Sequence, residues 1–266
     1  RDKVHGGEEV RLRLELKPRQ GCAAEAIPLR ILFEDEHLLV IDKPADFVVH
    51  PAAGNPDGTL QNALLHHAPG LELLPRAGIV HRLDKDTTGL LVVAKTLTAH
   101  KSLVDQLQRR SVYREYRALV TGGLVAGGKI DAPIGRHPLH RTRMAVVPGG
   151  KPAVTHYRVH ERFHGHTLLA VRLETGRTHQ IRVHMAHIQH PLVGDRTYGG
   201  RPRPPSGADP RLVSALTGFP RQALHAMALG LEHPKTGEVM RWEAEMPEDL
   251  CELLAWLRAE GRHGVD

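Results

Sequence analysis

The 266-residue chain has 41% hydrophobic amino acids, 36 basic against 30 acidic side chains and a formal net charge of +6, a composition typical of a globular protein. It can bury the core of one large domain or two smaller ones. The sequence has no apolar run of the roughly 20 residues that a membrane span needs, no signal-peptide core at its start, and only two distant cysteines, Cys22 and Cys251. We therefore expect a cytoplasmic protein in a reducing compartment, with no membrane association and no cysteine metal site.

The first third of the chain predicts short strands separated by polar turns. Residues 3–16 alternate like a half-buried strand, and because the chain does not begin with methionine, we expect them to end a missing upstream module. Residues 31–44 predict two short strands around a turn, and Thr59 is expected to cap a helix through Leu65. Residues 79–93 predict a strand, a loop and a second strand.

The later segments continue in the same pattern. Hairpins outnumber strand–helix alternations, so we predict an α+β fold with a central mixed, mostly antiparallel sheet flanked by helices rather than a doubly wound nucleotide fold. The predicted elements are a helix with an apolar stripe from its Thr96 cap to about Arg110, strands over 112–120, 153–162 and 167–174, a helix over 179–188 capped by Thr178, a linker over 202–210, a helix over 211–216, a hairpin over 223–245 and a helix over 247–260.

The segment 78–95, with the sequence GIVHRLDKDTTGLLVVAK, places Asp84 in a polar turn beside an apolar strand. A loop held by a rigid strand is a favoured place for chemistry. Neighbouring cations keep a carboxylate ionised, as a nucleophile or base requires, although an ordinary ion pair would give the same pattern. The cations next to Asp84 in the sequence are His81, Arg82 and Lys85.

Two further segments carry residue types suited to RNA. Residues 176–185, GRTHQIRVHM, place cations at a predicted helix start, where an anion is favoured, so this segment could hold RNA phosphate or orient Asp84. Tyr116 shares a strand face with Arg114 and Ala118 and could stack on a base or belong to the core. Of the 36 basic residues 27 are arginines, which suits phosphate binding, although genome composition could also explain the excess.

Other chemistries have weaker support in the sequence. Asp84 and Asp86 could form the carboxylate pair of a glycoside hydrolase, but we favour a turn role in which Asp86 binds loop amides. Histidines recur at 184, 187 and 190 and cluster at 160, 164 and 166, without the companions that make a metal motif specific. No P-loop, nucleophile elbow or dinucleotide fingerprint is present, which removes most cofactor chemistry.

Three motifs, in order and spacing, resemble those of the RluA-type pseudouridine synthases: HRLD at 81–84, YRALV at 116–120 and GRTHQIRVHM at 176–185. The likeness spans nearly the whole chain from about Ile31. It implies that Asp84 is the essential aspartate, Tyr116 the tyrosine that stacks on the target uracil, and Arg182 the basic partner of the aspartate. It also implies RNA contacts, with Arg82 beside a flipped nucleotide, from His81, Arg82, Lys85, Arg177, His179 and Gln180.

The resemblance further implies a sheet divided into two halves by the active-site cleft, no metal or organic cofactor, and an N-terminal S4-like RNA-binding domain. We accordingly expect residues 1–16 to be the remnant of that domain and 17–266 to be the catalytic domain. Motifs at 42–44, 50–59 and 199–205 narrow the expected substrate to 23S rRNA of the large subunit or its precursor, at the stem-loop (helix 69) that bridges to the small subunit. We expect the enzyme to act as a monomer.

Three alternatives remain open from the sequence. The same isomerisation could occur at another rRNA uridine. A non-catalytic rRNA-binding assembly factor would use the arginines and leave Asp84 idle. A nucleoside or glycan hydrolase would use Asp84 with Asp86 and release a free base or sugar.

Overall fold

The computed structural model describes residues 22–52 and 54–263. The strand predicted at 3–16, and with it the expected N-terminal remnant, lies outside the described residues. The strands are β1 (Ile31–Glu34), β2 (Leu38–Lys43), β3 (Thr88–Ala94), β4 (Tyr113–Thr121), β5 (Gly128–Asp131), β6 (Ile134–Arg136), β7 (Met144–Val146), β8 (Val154–Phe163), β9 (His166–Leu173), β10 (Leu224–Glu232) and β11 (Val239–Glu243). The helices are α1 (Leu60–His67), α2 (Leu97–Gln108), α3 (Gln180–His187), α4 (Pro210–Gly218) and α5 (Glu248–His263).

Nine of these strands form one sheet in the order β1-β2-β3-β10-β4-β9-β8-β5, with β11 also paired to β10, while β6 and β7 form a separate hairpin. The pairing of β3 with β10 is parallel and short, joining only Thr88 with His225 and Gly89 with Ala226. The other ladders among the described strands are antiparallel. The short parallel junction divides the sheet into two halves, which confirms the α+β fold with a mixed, mostly antiparallel sheet.

Gly89 is required at this junction. Its φ is +106°, a conformation that side chains rarely adopt, and a Cβ atom there would lie 2.3 Å from the carbonyl oxygen of Ala226. The two halves of the sheet can therefore approach each other only because this position carries no side chain.

Alternate residues of the central strands enter cores on opposite faces of the sheet, as the period of two in a strand requires. In β3, Leu91 and Val93 pack in the core that includes α1 and α3, whereas Leu90 and Val92 pack in the core that includes α2. A third core joins Leu119 of β4 to α4 and α5. Covering both faces explains why β2 and β3 are continuous apolar runs.

The local signals predicted most elements correctly. Thr59 caps α1 in a capping box with Asn62, the hairpins at 31–44 and 223–245 are present, and helices occupy 97–108 and 248–263. In the described part of the chain no helix is long and apolar enough to cross a membrane.

Three details of the sequence prediction are wrong. The first strand of 79–93 is reduced to a single bridge between Ile79 and Val93, because the polar residues that follow leave the sheet to form the Asp84 loop. Leu97, predicted in the apolar stripe of α2, is 63% exposed because it begins the helix at its solvent-facing end. The short strands β5, β6 and β7 were not predicted, since three or four residues give little periodic signal.

Candidate active site

A cleft of about 680 Å3 lies where the Asp84 loop, strand β4 and the start of α3 meet. It is thus positioned beside the junction between the two halves of the sheet. Its polar lining is mostly basic. The charged and aromatic side chains that line it are His50, Arg76, His81, Arg82, Asp84, Arg114, Tyr116, Arg177, His179 and Arg182.

The Asp84 loop is held in place by hydrogen bonds from buried polar side chains. Lys43, 1% exposed, donates from Nζ to the carbonyl of Lys85 at 2.7 Å, and also to two carbonyls of its own loop. Arg221 donates to the carbonyl of Asp86 at 3.3 Å, and Gln222 donates to Thr87 Oγ1 at 3.1 Å. These contacts fix the backbone on the side away from the cleft and leave the Asp84 carboxylate facing it.

Burial lowers the pKa of Lys43 to about 7, although the carboxylates of Asp86 and Asp84 oppose that shift. The lysine is therefore close to half protonated at neutral pH. Its three hydrogen bonds go to backbone carbonyls, so its direct contacts support the loop and none of them is with the Asp84 carboxylate.

Arg182 connects Asp84 to a second aspartate that the sequence analysis did not identify. Its Nη1 lies 3.1 Å from Asp84 Oδ2, while Nε and Nη2 donate to the two oxygens of Asp195 at 2.7 and 2.9 Å. Asp195 is completely buried and accepts two further hydrogen bonds, from the backbone N–H groups of Thr197 and Tyr198. The fixed fork of the guanidinium allows this double pairing, which a lysine could not reproduce.

The charges around Arg182 change its pKa more than its burial does. Burial alone would lower the pKa of this guanidinium, but the hydrogen bonds and charge of Asp195, together with the charge of Asp84, raise it above its ordinary value. Arg182 is therefore a permanent cation. It is the nearest positive charge to Asp84 and is aimed at the carboxylate by Asp195.

His179 and Tyr198 complete the surroundings of Asp84. The Tyr198 hydroxyl lies 2.8 Å from His179 Nδ1 and accepts from the backbone N–H of Met144 at 2.9 Å, so it is positioned to donate to the histidine. In the tautomer in which the hydroxyl donates to Nδ1, the proton of the neutral ring is on Nε2, which lies 3.9 Å from Asp84 Oδ1. Burial lowers the pKa of His179, although the charge of Asp84 opposes that shift.

The start of α3 differs from the prediction. His179, in a left-handed conformation with a φ of 57°, is the N-cap residue, and Thr178 does not cap the helix. Gln180 explains the difference, because its side chain accepts from Thr175 Oγ1 and the Arg177 N–H and donates to Val154 O and Thr155 Oγ1. These hydrogen bonds brace the start of α3. Gln180 also lines the cleft, and its contact with RNA stays a prediction.

Tyr116 is 6% exposed and belongs to both the core and the cleft wall. As predicted, Ala118 shares its side of the strand and Leu119 packs in the core of the opposite face. Burial raises the pKa of the tyrosine above its ordinary value, so the hydroxyl stays protonated at neutral pH. An aromatic ring held in this way can receive a planar base without having to be ordered on binding.

The residues expected to contact RNA fall into three groups, which differ in charge and in position relative to the cleft. Arg82 is exposed and Arg177 half-buried, and both line the cleft. His81 lines it too, but burial lowers its pKa to about 3, with the charge of Arg114 adding to the shift, and its Nε2 accepts the N–H of Val92 at 3.1 Å. It is therefore a neutral, fixed ring. Lys85 is not among the cleft-lining residues and pairs with Asp46 at 2.7 Å.

Asp86 does not line the cleft, which removes the geometric basis for a carboxylate pair with Asp84. Two histidines of the 184–190 group form hydrogen bonds within the protein. His184 bonds Thr155 and the Ala132 carbonyl, and His190 bonds the Thr121 carbonyl. Within residues 22–52 and 54–263 no group of three His, Cys, Asp or Glu side chains has metal-binding geometry.

The divided sheet and a mostly basic cleft of about 680 Å3, lined by one carboxylate, are typical of an enzyme that acts on a base within RNA. The family comparison makes that class specific, because residues 37–187 match the model for RNA pseudouridylate synthases. The chain belongs to this family and is an RNA pseudouridine synthase. Its fold also resembles human RNA pseudouridylate synthase domain containing 1 (TM-score 0.65, 28% identity, 88% of this chain and 89% of that chain) and domain containing 4 (0.67, 25%, 86% and 93%).

Bacterial relatives are similar over almost the full sequence. The chain is 59% identical over 260 residues to "Ribosomal large subunit pseudouridine synthase D" of Escherichia coli strain K12, covering 98% of this chain and 80% of that protein. Proteins of the same name from Pasteurella multocida and Vibrio parahaemolyticus are each 58% identical with the same coverage.

Proposed function

We propose that this synthase isomerises uridine in 23S rRNA of the large ribosomal subunit, with Asp84 as the essential carboxylate, Tyr116 as the stacking surface and Arg182 as the partner of Asp84. The observation that carries the proposal is the 3.1 Å contact between Arg182 and Asp84 on the wall of the cleft that also contains Tyr116. The three residues come from separate parts of the sequence, and the fold brings them to one cavity.

The reaction requires the bond between uracil N1 and ribose C1′ to break, the uracil to turn while bound, and its C5 to join C1′. Asp84, held in position by Arg182 and 15% exposed at its side chain, is the ionised group available to act on the nucleoside. Tyr116 offers a flat face on which a detached uracil can remain. Nothing in this sequence of steps requires a redox or group-transfer partner.

The target base must leave its stack before it can enter the cleft. Arg82 and Arg177 are placed at the cleft for contacts with the RNA backbone, and His81 presents a rigid neutral ring beside them. We propose the same general role for His179, which stands between Asp84 and the Tyr198 hydroxyl. Lys85 could reach RNA only outside the cleft and after leaving Asp46.

For the substrate we propose the stem-loop of 23S rRNA that bridges to the small subunit, helix 69, in the large subunit or its precursor. Support comes from the 58–59% identity to proteins named for the large ribosomal subunit. We assign residues 17–266 to the catalytic domain and propose that 1–16 belong to an S4-like RNA-binding domain. We also propose that the protein acts as a monomer in the cytoplasm.

The substrate is tested by mapping pseudouridine in 23S rRNA from a bacterium that lacks the corresponding synthase and expresses this chain. We expect modification in the bridging stem-loop with the unmutated protein and none with Asp84→Asn. Modification at other 23S uridines alone would keep the chemistry and reject the proposed stem-loop. Equal modification by Asp84→Asn would reject the role of Asp84, and release of free uracil instead of a product of unchanged mass would indicate a hydrolase. RNA binding without modification by either protein would favour an assembly factor.

A further inference from the structure

Arg114 is a buried cation on the cleft wall that the roles proposed above do not use. It lies on β4 two residues before Tyr116, so both side chains project from the same face of the strand. Arg114 is 7% exposed and lines the same cleft as Asp84. The backbone positions of residues two apart along a strand are separated by about 7 Å, so Arg114 and Tyr116 are neighbours on the cleft wall.

The structure provides Arg114 with few partners. Within the described part of the chain, its only hydrogen bond is a long one of 3.4 Å from Nη2 to the carbonyl of Glu174. Among residues 22–52 and 54–263, no group accepts from its Nε, and no carboxylate forms an ion pair with it. Burial accordingly lowers the pKa of this guanidinium, although an arginine remains protonated at any physiological pH.

The other buried arginines in or near the site are fully paired. Arg182 binds Asp195 and Asp84, and Arg221 binds Asp249 through two contacts of 2.7 Å. A buried charge without a counter-ion is strongly destabilising, so a fold that keeps one normally gains something other than stability from it. Arg114 is the buried arginine at this cleft whose counter-charge has to come from a ligand.

The surroundings of Arg114 leave it open to such a ligand. A Cβ atom at Gly176 would lie 3.0 Å from Arg114 Nη1, so the absence of a side chain at 176 keeps this face of the guanidinium accessible. Arg82 is exposed and Arg177 half-buried at the same cleft, where a phosphodiester can reach them. Arg114 lies deeper, on the strand that carries the base-stacking tyrosine, so the part of the nucleotide that meets it is the base.

We propose that Arg114 is a further catalytic residue, which donates hydrogen bonds to a carbonyl oxygen of the uracil and stabilises the negative charge that develops there as the glycosidic bond breaks. The inference rests on the proposed function of the cleft. When the N1–C1′ bond breaks, its electron pair stays with N1, and the uracil anion spreads that charge onto its carbonyl oxygens. The charge is removed when C5 bonds to C1′. The C5 proton then leaves to water and N1 takes up a proton from water, so no further reactant is needed.

Hydrogen-bond donors that are held in place next to a developing charge stabilise it strongly in a site from which water is excluded. Losing one such donor typically lowers the rate by about 100- to 1000-fold. The charge on uracil appears during bond cleavage and is small in the bound substrate. We therefore expect removal of the Arg114 guanidinium to lower the single-turnover rate much more than the affinity for RNA.

The test compares Arg114→Met with Arg114→Lys and with the control Arg258→Gln, whose guanidinium is already paired with Glu161 on the outer surface. Single-turnover rates are measured on stem-loop RNA with uridine or 5-fluorouridine at the target position. The rate is that of pseudouridine formation for uridine and, because a C5 fluorine cannot leave as the C5 proton does, that of loss of the starting nucleoside for 5-fluorouridine. The fluorine withdraws electrons from the ring and makes the departing uracil less basic. Cleavage of the N1–C1′ bond therefore depends less on hydrogen bonds from Arg114. We expect Arg114→Met to lose about 100-fold or more with uridine, clearly less with 5-fluorouridine, and part of the loss to be restored by added guanidinium ion.

Stability gives an independent readout. A residue held for the protein's own packing would destabilise the fold when changed, whereas removing an uncompensated buried charge leaves the melting temperature unchanged or raises it. Arg114→Met with the unmutated rate, or with an equal loss on both RNAs, would overturn the proposal. A fall in RNA affinity with a smaller salt dependence and an unchanged single-turnover rate would assign Arg114 to a phosphate instead. If the unmutated protein itself forms no pseudouridine, the proposed function fails, a result distinct from failure at Arg114 alone.

Discussion

Asp195 is expected to be as important to the site as Asp84, although it lies behind Arg182 and away from the reacting nucleotide. Its fully buried carboxylate accepts two hydrogen bonds from Arg182 and two from backbone N–H groups. In Asp195→Asn one oxygen becomes an NH2 group that faces a guanidinium, so an acceptor is replaced by a donor. Arg182, only 8% exposed at its side chain, then keeps Asp84 as its sole negative partner.

Breaking a buried ion pair by removing one partner costs about 3–5 kcal/mol, and we expect the free energy of unfolding to fall by that amount. The released guanidinium would shift relative to Asp84, and a misplacement of about 1 Å at a reacting group can lower a rate about 100-fold. The measurements are denaturant unfolding and the single-turnover rate of pseudouridine formation.

Glu161→Gln is the matched control for Asp195→Asn. It alters another two-contact arginine–carboxylate pair, but the Glu161 and Arg258 side chains are 32% and 45% exposed, so we expect a loss below about 1 kcal/mol and an unchanged rate. The reasoning is refuted if Asp195→Asn behaves like this control.

Three further predictions concern the stacking ring, the buried lysine and the junction of the sheet. Tyr116→Phe should keep most of the activity, whereas Tyr116→Ala should lose the roughly 1–3 kcal/mol that stacking on one base provides; equal losses in single-turnover assays would mean that the hydroxyl, not the ring, matters. Because the native pKa of Lys43 is about 7 and its ordinary value is 10.5, the unfolded chain binds the proton more tightly, so stability attributable to this group rises with pH across that window. The difference in unfolding free energy between the unmutated protein and Lys43→Met should therefore increase with pH by about 1.4 kcal/mol per unit. A pH-independent difference would show that folding does not lower the pKa of Lys43. Gly89→Ala should cost at least about 2 kcal/mol and most of the activity, since its Cβ would meet the Ala226 carbonyl, whereas Gly123→Ala, with nothing within 4 Å, should be nearly neutral in the same unfolding measurement.

The sequence was sufficient to predict the elements whose signals are local. The capping box at Thr59 and the turn at 234–237 are each specified by a few adjacent residues, and both are present. The pairing of β3 with β10 could not be predicted, because it joins Thr88 to His225, 137 residues later in the chain, through only two residue pairs. The Thr178 cap was wrong because the network around Gln180 overrides the local preference of a threonine.

The sequence predicted some residues of the candidate site and missed others. The motifs drew attention to Asp84, Tyr116 and Arg182, and the structure brings all three to one cleft. Asp195 and Tyr198 lie outside those motifs, and their importance follows from hydrogen bonds that exist only in the folded chain. The one available signal was an aspartate 13 residues after Arg182, which has no meaning until the two side chains meet.

The most direct test of the account is tritium release from RNA labelled at carbon 5 of uridine, because joining C5 to ribose must displace that hydrogen. Ribosomal RNA from a synthase-deficient strain would be treated with the unmutated protein, with Asp84→Asn and with the surface control Glu161→Gln. The account predicts release by the unmutated protein and the control, and none by Asp84→Asn, which should still bind the RNA. Release by Asp84→Asn at the unmutated rate would contradict the central role of the carboxylate.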